Sequence, residues 1–224
     1  MCRMAAFSSN EYVEVGKIII NVSEMAKSGK SAPHDDGYGF VLFTKERKLE
    51  YKSVVAIFED DFWKSVVEGF KASAGIVHAR KASENLDKTK LQLHPFHISG
   101  KYLAHNGTVY NANIENDFRS DTYDFFLNIF SFDNFEALID NVRRYVTNHK
   151  YSGLNFLLYD EIEDSLYVGC IYSRSPDYFT LYYDQNEAGF VVYSENVNGD
   201  LTPMENGEIL KVSNGKVTQK GRVF

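Results

Sequence analysis

The chain has 224 residues, 44% hydrophobic and 25% charged, with 17 Phe and 15 Tyr, enough apolar and aromatic material for one large core and unlike a disordered chain. A formal net charge of −7 and a pI near 5.4 supply no basic surface for phosphate backbones, so nucleic acid is not an expected partner. No apolar run approaches the roughly 20 residues needed to cross a bilayer, no signal peptide is visible, and two cysteines make no disulfide framework. The expectation is a cytoplasmic, reduced protein with a single domain over 1–224.

In chain order, Met1–Ser8 reads as a buried strand and Gly16–Lys27 as an amphipathic helix. Gly37–Phe43 and Leu49–Ile57 read as a hairpin across Lys45-Glu46-Arg47-Lys48. Asp60–Phe70 has a helical pattern with an acidic start suited to the helix dipole. Gly75–His78 and Tyr102–His105 read as central strands, the second reached from His94-Pro95-Phe96 through a short hairpin. Asp121–Phe130 and Asn134–His149 are the strongest helices; the second places Phe135, Leu138, Ile139, Val142 and Val146 on one face. From Leu154 the pattern is nearly all strand: Asn155–Tyr159, Ser165–Tyr172, Thr180–Tyr183, Phe190–Ser194, Glu208–Val212 and Lys216–Gln219, the last two joined at Asn214-Gly215. Strands and helices come in blocks, which favours a largely antiparallel α+β domain of stacked layers.

The chemistry starts at Cys2. A cysteine directly after the initiator Met is exposed when Met1 is removed, and then carries a thiol and an α-amine on one carbon. A free α-amine has a pKa of about 7.7–8.0 and a thiol about 8.5, so this nucleophile brings its own base. Four further segments stand beside it: His34-Asp35-Asp36-Gly37-Tyr38-Gly39-Phe40, Gly75-Ile76-Val77-His78-Ala79-Arg80-Lys81-Ala82-Ser83, His94-Pro95-Phe96 with Tyr102-Leu103-Ala104-His105-Asn106-Gly107-Thr108-Val109, and Ser120-Asp121-Thr122.

In this order and spacing the segments resemble a class II, N-terminal-nucleophile glutamine amidotransferase domain, of the stand-alone kind that begins Met-Cys-Arg or Met-Cys-Glu and carries an HxDGWG-like turn. The later Tyr193-Ser194-Glu195 and Gly207-Glu208-Ile209-Leu210 match as well, so the resemblance covers most of the chain. It implies a four-layer αββα sandwich of two antiparallel sheets between helices, and no cofactor or metal. It implies that Cys2 attacks the side-chain amide carbon of glutamine, with Asn106 and Gly107 as the oxyanion hole. It further implies that Arg80 holds the substrate α-carboxylate and Asp121 the α-ammonium, a pairing that selects a γ-glutamyl group.

Each residue also has a plainer reading. Arg80 alone could be a surface ion-pair partner, Asn106-Gly107 a hairpin turn, and Asp121 after Ser120 part of a helix cap. The histidines at 34, 78, 94 and 105 form no known metal-ligand spacing; His78 and His105 read as core histidines at strand ends and His94 as loop structure. Asp35, Asp36 and Gly37 shape a turn beside the site, and Cys170 reads as a small buried hydrophobe. The chain departs from many relatives at Tyr38, Lys81 and Tyr123, all in segments expected near the pocket mouth.

The implied activity is hydrolysis of the γ-amide of glutamine through a γ-glutamyl thioester. The chain has no room for a synthase domain before Phe224, so the ammonia passes to a separate synthase subunit, or the protein is a free-standing amidohydrolase of a γ-glutamyl peptide or small molecule. A non-enzymatic binding protein retaining the fold is the third reading.

Overall fold

A computed structural model describes residues 2–82, 89–197 and 199–224. Its elements run β1 (Arg3–Glu14), α1 (Gly16–Ser28), β2 (Tyr38–Phe43), β3 (Lys48–Ser53), α2 (Phe62–Val67), β4 (Lys71–Ala79) and a 3-10 turn (Lys90–Gln92). They continue with β5 (Phe96–Ile98), β6 (Lys101–Val109), α3 (Asp121–Ile129), α4 (Phe135–Asn148), β7 (Tyr151–Asp160), β8 (Ser165–Cys170) and α5 (Pro176–Phe179). The chain closes with β9 (Tyr182–Asn186), β10 (Gly189–Tyr193), β11 (Thr202–Pro203), β12 (Glu208–Ser213) and β13 (Lys216–Arg222).

The strands form two antiparallel sheets, ordered β11-β9-β10-β1-β4-β2-β3 and β13-β12-β8-β7-β6-β5. The layering follows from which strand residues are apolar on both faces. Met4, Ala6, Val41 and Ile76 of the first sheet meet Ala104, Leu157, Val168 and Leu210 of the second in a core between the sheets. The outer face of the first sheet, with Phe7, Phe40 and Val77, is covered by Ile19, Val22 and Met25 of α1 and by Trp63 of α2. The outer face of the second, with Leu103, Phe156 and Leu158, is covered by Phe125 and Phe126 of α3 and by Leu138 and Val142 of α4. Helices on both outer faces and a shared inner core make the expected αββα sandwich. Each fully buried Leu, Val or Phe contributes about 1.5–3 kcal/mol, so three such clusters hold the layers together.

The best-marked helices carry side-chain caps: Ser120 Oγ accepts from Tyr123 N, and Asn134 Oδ1 accepts from Ala137 N at 2.9 Å. Several boundaries differ from expectation, among them three with a visible cause or a clear register shift. β1 runs on to Glu14, its pairing with β4 shifting register between Ser8 and Val13, and Met1 lies outside the described residues. β3 stops at Ser53, where Ser53 Oγ accepts from Val55 N and turns the chain. α2 spans only Phe62–Val67, because Asp60 Oδ1 accepts from Phe62 N ahead of it and Gly69 turns left-handed behind it. No helix among the described residues is long and apolar enough to cross a membrane.

Candidate active site

Cys2 sits at the entrance to β1, a central strand paired with β10 on one side and β4 on the other. Ser194 locks this end of β1 from both directions, its N–H donating to Met4 O and its Oγ accepting from Met4 N, each at 3.0 Å. Cys2 is buried, and its Sγ lies 3.9 Å from the Lys81 carbonyl just beyond β4. The second sheet supplies the other wall. Cys2 N donates to Asn106 Oδ1 at 2.8 Å across 104 residues of sequence. Only the amide oxygen can accept that N–H, so the orientation of the Asn106 amide is set, and its Nδ2 is turned elsewhere. That Nδ2 is fully buried with no hydrogen-bond partner among the described residues. An orphaned buried donor costs about 1–3 kcal/mol, a cost a ligand oxygen would relieve.

Asn106-Gly107 is therefore no hairpin turn. It lies within β6, where Asn106 pairs with Asn155 and Gly107 with Leu154, before the register shifts toward Val109–Tyr151. Gly107 has φ of 150°, and a Cβ there would stand 1.8 Å from the Gly153 carbonyl oxygen. The bulge opens the strand at the site.

Arg80 follows the end of β4 and is itself only 6% exposed. Its backbone is clamped by the acidic turn: Arg80 N donates to Gly37 O at 2.8 Å, Asp36 N donates to Arg80 O at 3.1 Å, and Asp36 Oδ2 accepts from Ala82 N at 2.8 Å. The turn 35–37 thus holds the backbone at Arg80 in place; Ser83 at the end of that motif lies outside the described residues. Asp121 opens α3, with Oδ2 accepting from Val109 N and Oδ1 from Thr122 N, both at 2.8 Å. Ser120 is the cap, and the Asp121 carboxylate bridges α3 to the bulged end of β6. Cys2, Arg80, Gly107 and Asp121 all line one cavity of about 330 Å³; Asn106 is buried behind it. Of the three unusual positions, only Lys81 lines this cavity. Tyr38 faces the core beneath α1, with its hydroxyl on Asp60 Oδ2 at 2.9 Å, and Tyr123 packs on Phe96 and Phe118.

Four histidines stand near the site, all buried. His105 Nε2 donates to Gly153 O at 3.2 Å, so its Nδ1 accepts from Thr122 Oγ1 at 2.8 Å and ties β6 to α3. His94 is more than loop structure: it is buried, and its Nδ1 lies 3.0 Å from His78 Nε2 and accepts from His105 N. With its Nε2 proton directed to His94, His78 has an Nδ1 lone pair with no hydrogen-bond partner among the described residues. Burial pushes His34 and His78 down to about 3, His94 well below 6.5 and His105 down, so each imidazole is neutral when folded. No cluster of His, Cys, Asp and Glu among the described residues has metal-holding geometry. Burial likewise pushes the Cys170 thiol up to about 12, in keeping with a buried hydrophobe and not a second nucleophile.

Because His34 and His78 gain protons on unfolding, their stabilising effect is complete above pH 6.5 and drains away as pH falls toward 3. Each should contribute a slope of about 1 kcal/mol per pH unit in that window. Urea denaturation at pH 7 and pH 5 should show a clear loss of stability at the lower pH; a flat profile would contradict neutral burial.

Two groups of site residues escaped the sequence reading. Fully buried Arg3 pairs with Glu195 at 2.6 Å, donates to the Lys30 carbonyl, and lies 4.3 Å over the Tyr178 ring. Tyr178 in turn donates to the Cys2 carbonyl at 3.4 Å and lies 3.3 Å from His34 Nε2. Gln92 forms the second group, with Oε1 accepting from Arg80 Nη2 at 2.9 Å. Neither an arginine beside a cysteine nor a glutamine in a loop announces such contacts; only Glu195, within Tyr193-Ser194-Glu195, carried a signal.

No protein-family model and no curated protein matches the sequence. Solved structures do. A glutamine aminotransferase class-II domain protein from Silicibacter pomeroyi matches at 17% identity and TM-score 0.65, over 99% of both chains. A predicted glutamine amidotransferase from Pseudomonas aeruginosa matches at 17% identity and TM-score 0.61, over 97% of this chain and all of that one. Glutamine phosphoribosylpyrophosphate amidotransferase from B. subtilis, complexed with ADP and GMP, matches at 21% identity and TM-score 0.70; all of this chain aligns with 49% of that longer one. The two sheets, the outer helices and these matches together show that the chain shares the four-layer αββα fold of these amidotransferase structures.

Proposed function

We propose that the chain, once Met1 is removed, hydrolyses the γ-amide of glutamine through a thioester on Cys2. The observation that carries this reading is the Cys2–Asn106 contact, which joins a nucleophile candidate to a buried amide with an unused donor. In the Met-free chain the nitrogen at that position is an α-amine. It takes the thiol proton, and the thiolate attacks the glutamine side-chain carbon. The carbonyl electron pair moves to oxygen, where Asn106 Nδ2 and the Gly107 N–H stabilise it. Collapse expels ammonia, protonated by the α-ammonium, and leaves a γ-glutamyl thioester. Water adds to the thioester, giving glutamate and the free thiol. Arg80 and Asp121 hold the α-carboxylate and α-ammonium, so only a γ-glutamyl amide presents its carbonyl to Cys2.

A second reading is favoured by the cavity beyond these residues. Lys81, Arg119, Tyr110 and Ile114 also line it, a mix of charged, aromatic and aliphatic side chains that suits a γ-glutamyl peptide or a γ-glutamylated small molecule. Under the first reading the ammonia goes to a separate synthase subunit; under the second the protein acts alone. Ammonia release from glutamine by the Met-free protein, beside amine release from γ-glutamyl peptides, separates the two. Turnover of a peptide with none of glutamine would overturn the ammonia-supplying reading, and turnover of neither would overturn both.

A further inference from the structure

Arg80 and Asp121 come after the ends of interior strands of different sheets, and reading one zwitterion requires their spacing to be held. Arg80 lies at the end of β4, while Asp121 follows the loop after β6. One side chain spans that gap. Gln92 accepts from Arg80 Nη2 with Oε1 at 2.9 Å and donates through Nε2 to the Phe118 carbonyl at 3.4 Å, three residues before Asp121. Both ends of this bridge are anchored. Gln92 ends the 3-10 turn and is followed by fully buried Leu93. Phe118 packs on Phe96 and Tyr123, at ring separations of 5.2 and 4.4 Å, and its N–H donates to Asn116 Oδ1. Asn116 then ties the segment forward to Ser120, the cap of α3, through Ser120 N and Ser120 O. Arg80, Gln92 and Asp121 line the same cavity.

We infer that Gln92 is a positioning residue: its amide sets the Arg80 guanidinium at a fixed distance from Asp121, so that the pair fits the α-carboxylate and α-ammonium of a γ-glutamyl substrate. This rests on the proposed glutaminase reading. A planar guanidinium must meet a carboxylate in a fork geometry to give its full worth, and the Gln92 hydrogen bond fixes the Nη2 end of that fork. Gln92 acts through Arg80, so its effect should vanish where Arg80 is absent.

The test is a double-mutant cycle on kcat/KM for ammonia release from glutamine, using Gln92→Met, Arg80→Ala and the double variant of the Met-free protein. Gln92→Met should lower kcat/KM about tenfold in the parent, mainly through KM, and less than twofold in the Arg80→Ala background. Gln92→Glu, whose carboxylate competes with substrate for Arg80, should raise KM further than Gln92→Met does. Equal losses in both backgrounds, or a loss confined to kcat, would overturn the positioning role. Glutamine-induced thermal stabilisation of Cys2→Ala and Cys2→Ala/Gln92→Met separates the two proposals. If the parent binds glutamine in a Gln92-dependent way without hydrolysing it, the glutaminase reading fails and the positioning role stands. If glutamine stabilises both variants equally, the positioning role fails.

Discussion

Gly107→Ala should unfold or severely destabilise the protein, by on the order of 3 kcal/mol or more. The new methyl group would lie 1.8 Å from the Gly153 carbonyl oxygen, and the backbone there holds φ at 150°, a region that L side chains rarely adopt. Neither problem has a local remedy. Gly153 is packed against the Phe179 ring, where a Cβ of its own would come within 2.5 Å, so β7 cannot move aside. The outcome is separation of β6 from β7 at the end that carries Asn106. Thermal denaturation measures it, with Gly16→Ala as the control, since a Cβ at Gly16 meets nothing within 4 Å. A Gly107→Ala protein melting with the parent would contradict the account of the bulge.

Asn106→Ala should lower kcat about 100- to 1,000-fold with little change in KM, the loss typical of one oxyanion donor. Asn106→Asp is the sharper variant. It keeps an oxygen to accept from Cys2 N, now 2.8 Å from Asn106 Oδ1, and replaces the unpartnered Nδ2 by an acceptor. If Nδ2 is the working atom, Asp should be no better than Ala. If the residue serves only to hold Cys2 N, Asp should retain most of the activity, and the oxyanion assignment would be wrong.

Much of this was legible in the sequence where local chemistry decides the outcome. α3 and α4 were readable because Ser120 and Asn134 cap them and an apolar stripe runs through Phe135, Leu138, Ile139 and Val142. The hairpin at Asn214-Gly215 was readable because both residues need positive φ, and they adopt 50° and 73°. Short elements were not: α5 has four residues behind a left-handed Ser175, and β11 has two, too few for any period to register. The Asn106-Gly107 pair shows the limit of turn signals, since the same dipeptide that closes hairpins here sits inside a strand whose neighbour, Gly153, demands glycine. In the site, residue types and order pointed to Cys2, Arg80, Asn106, Gly107 and Asp121, and the fold brings all five together around or behind one cavity. The supports of these residues were invisible. Gln92 reaches Arg80 from a turn with no apolar pattern, and Arg3 meets Glu195 across nearly the whole chain. Such long-range polar contacts follow from packing, and no local propensity encodes them.

We propose that Cys2, freed at the N-terminus, is the nucleophile of a γ-glutamyl amide hydrolase. The measurement is ammonia release from glutamine by the Met-free protein and by its Cys2→Ala variant, each confirmed by intact mass to begin at residue 2. Steady turnover is expected in the first and none above background in the second, with both equally folded. Residual turnover in Cys2→Ala comparable to the parent would contradict it.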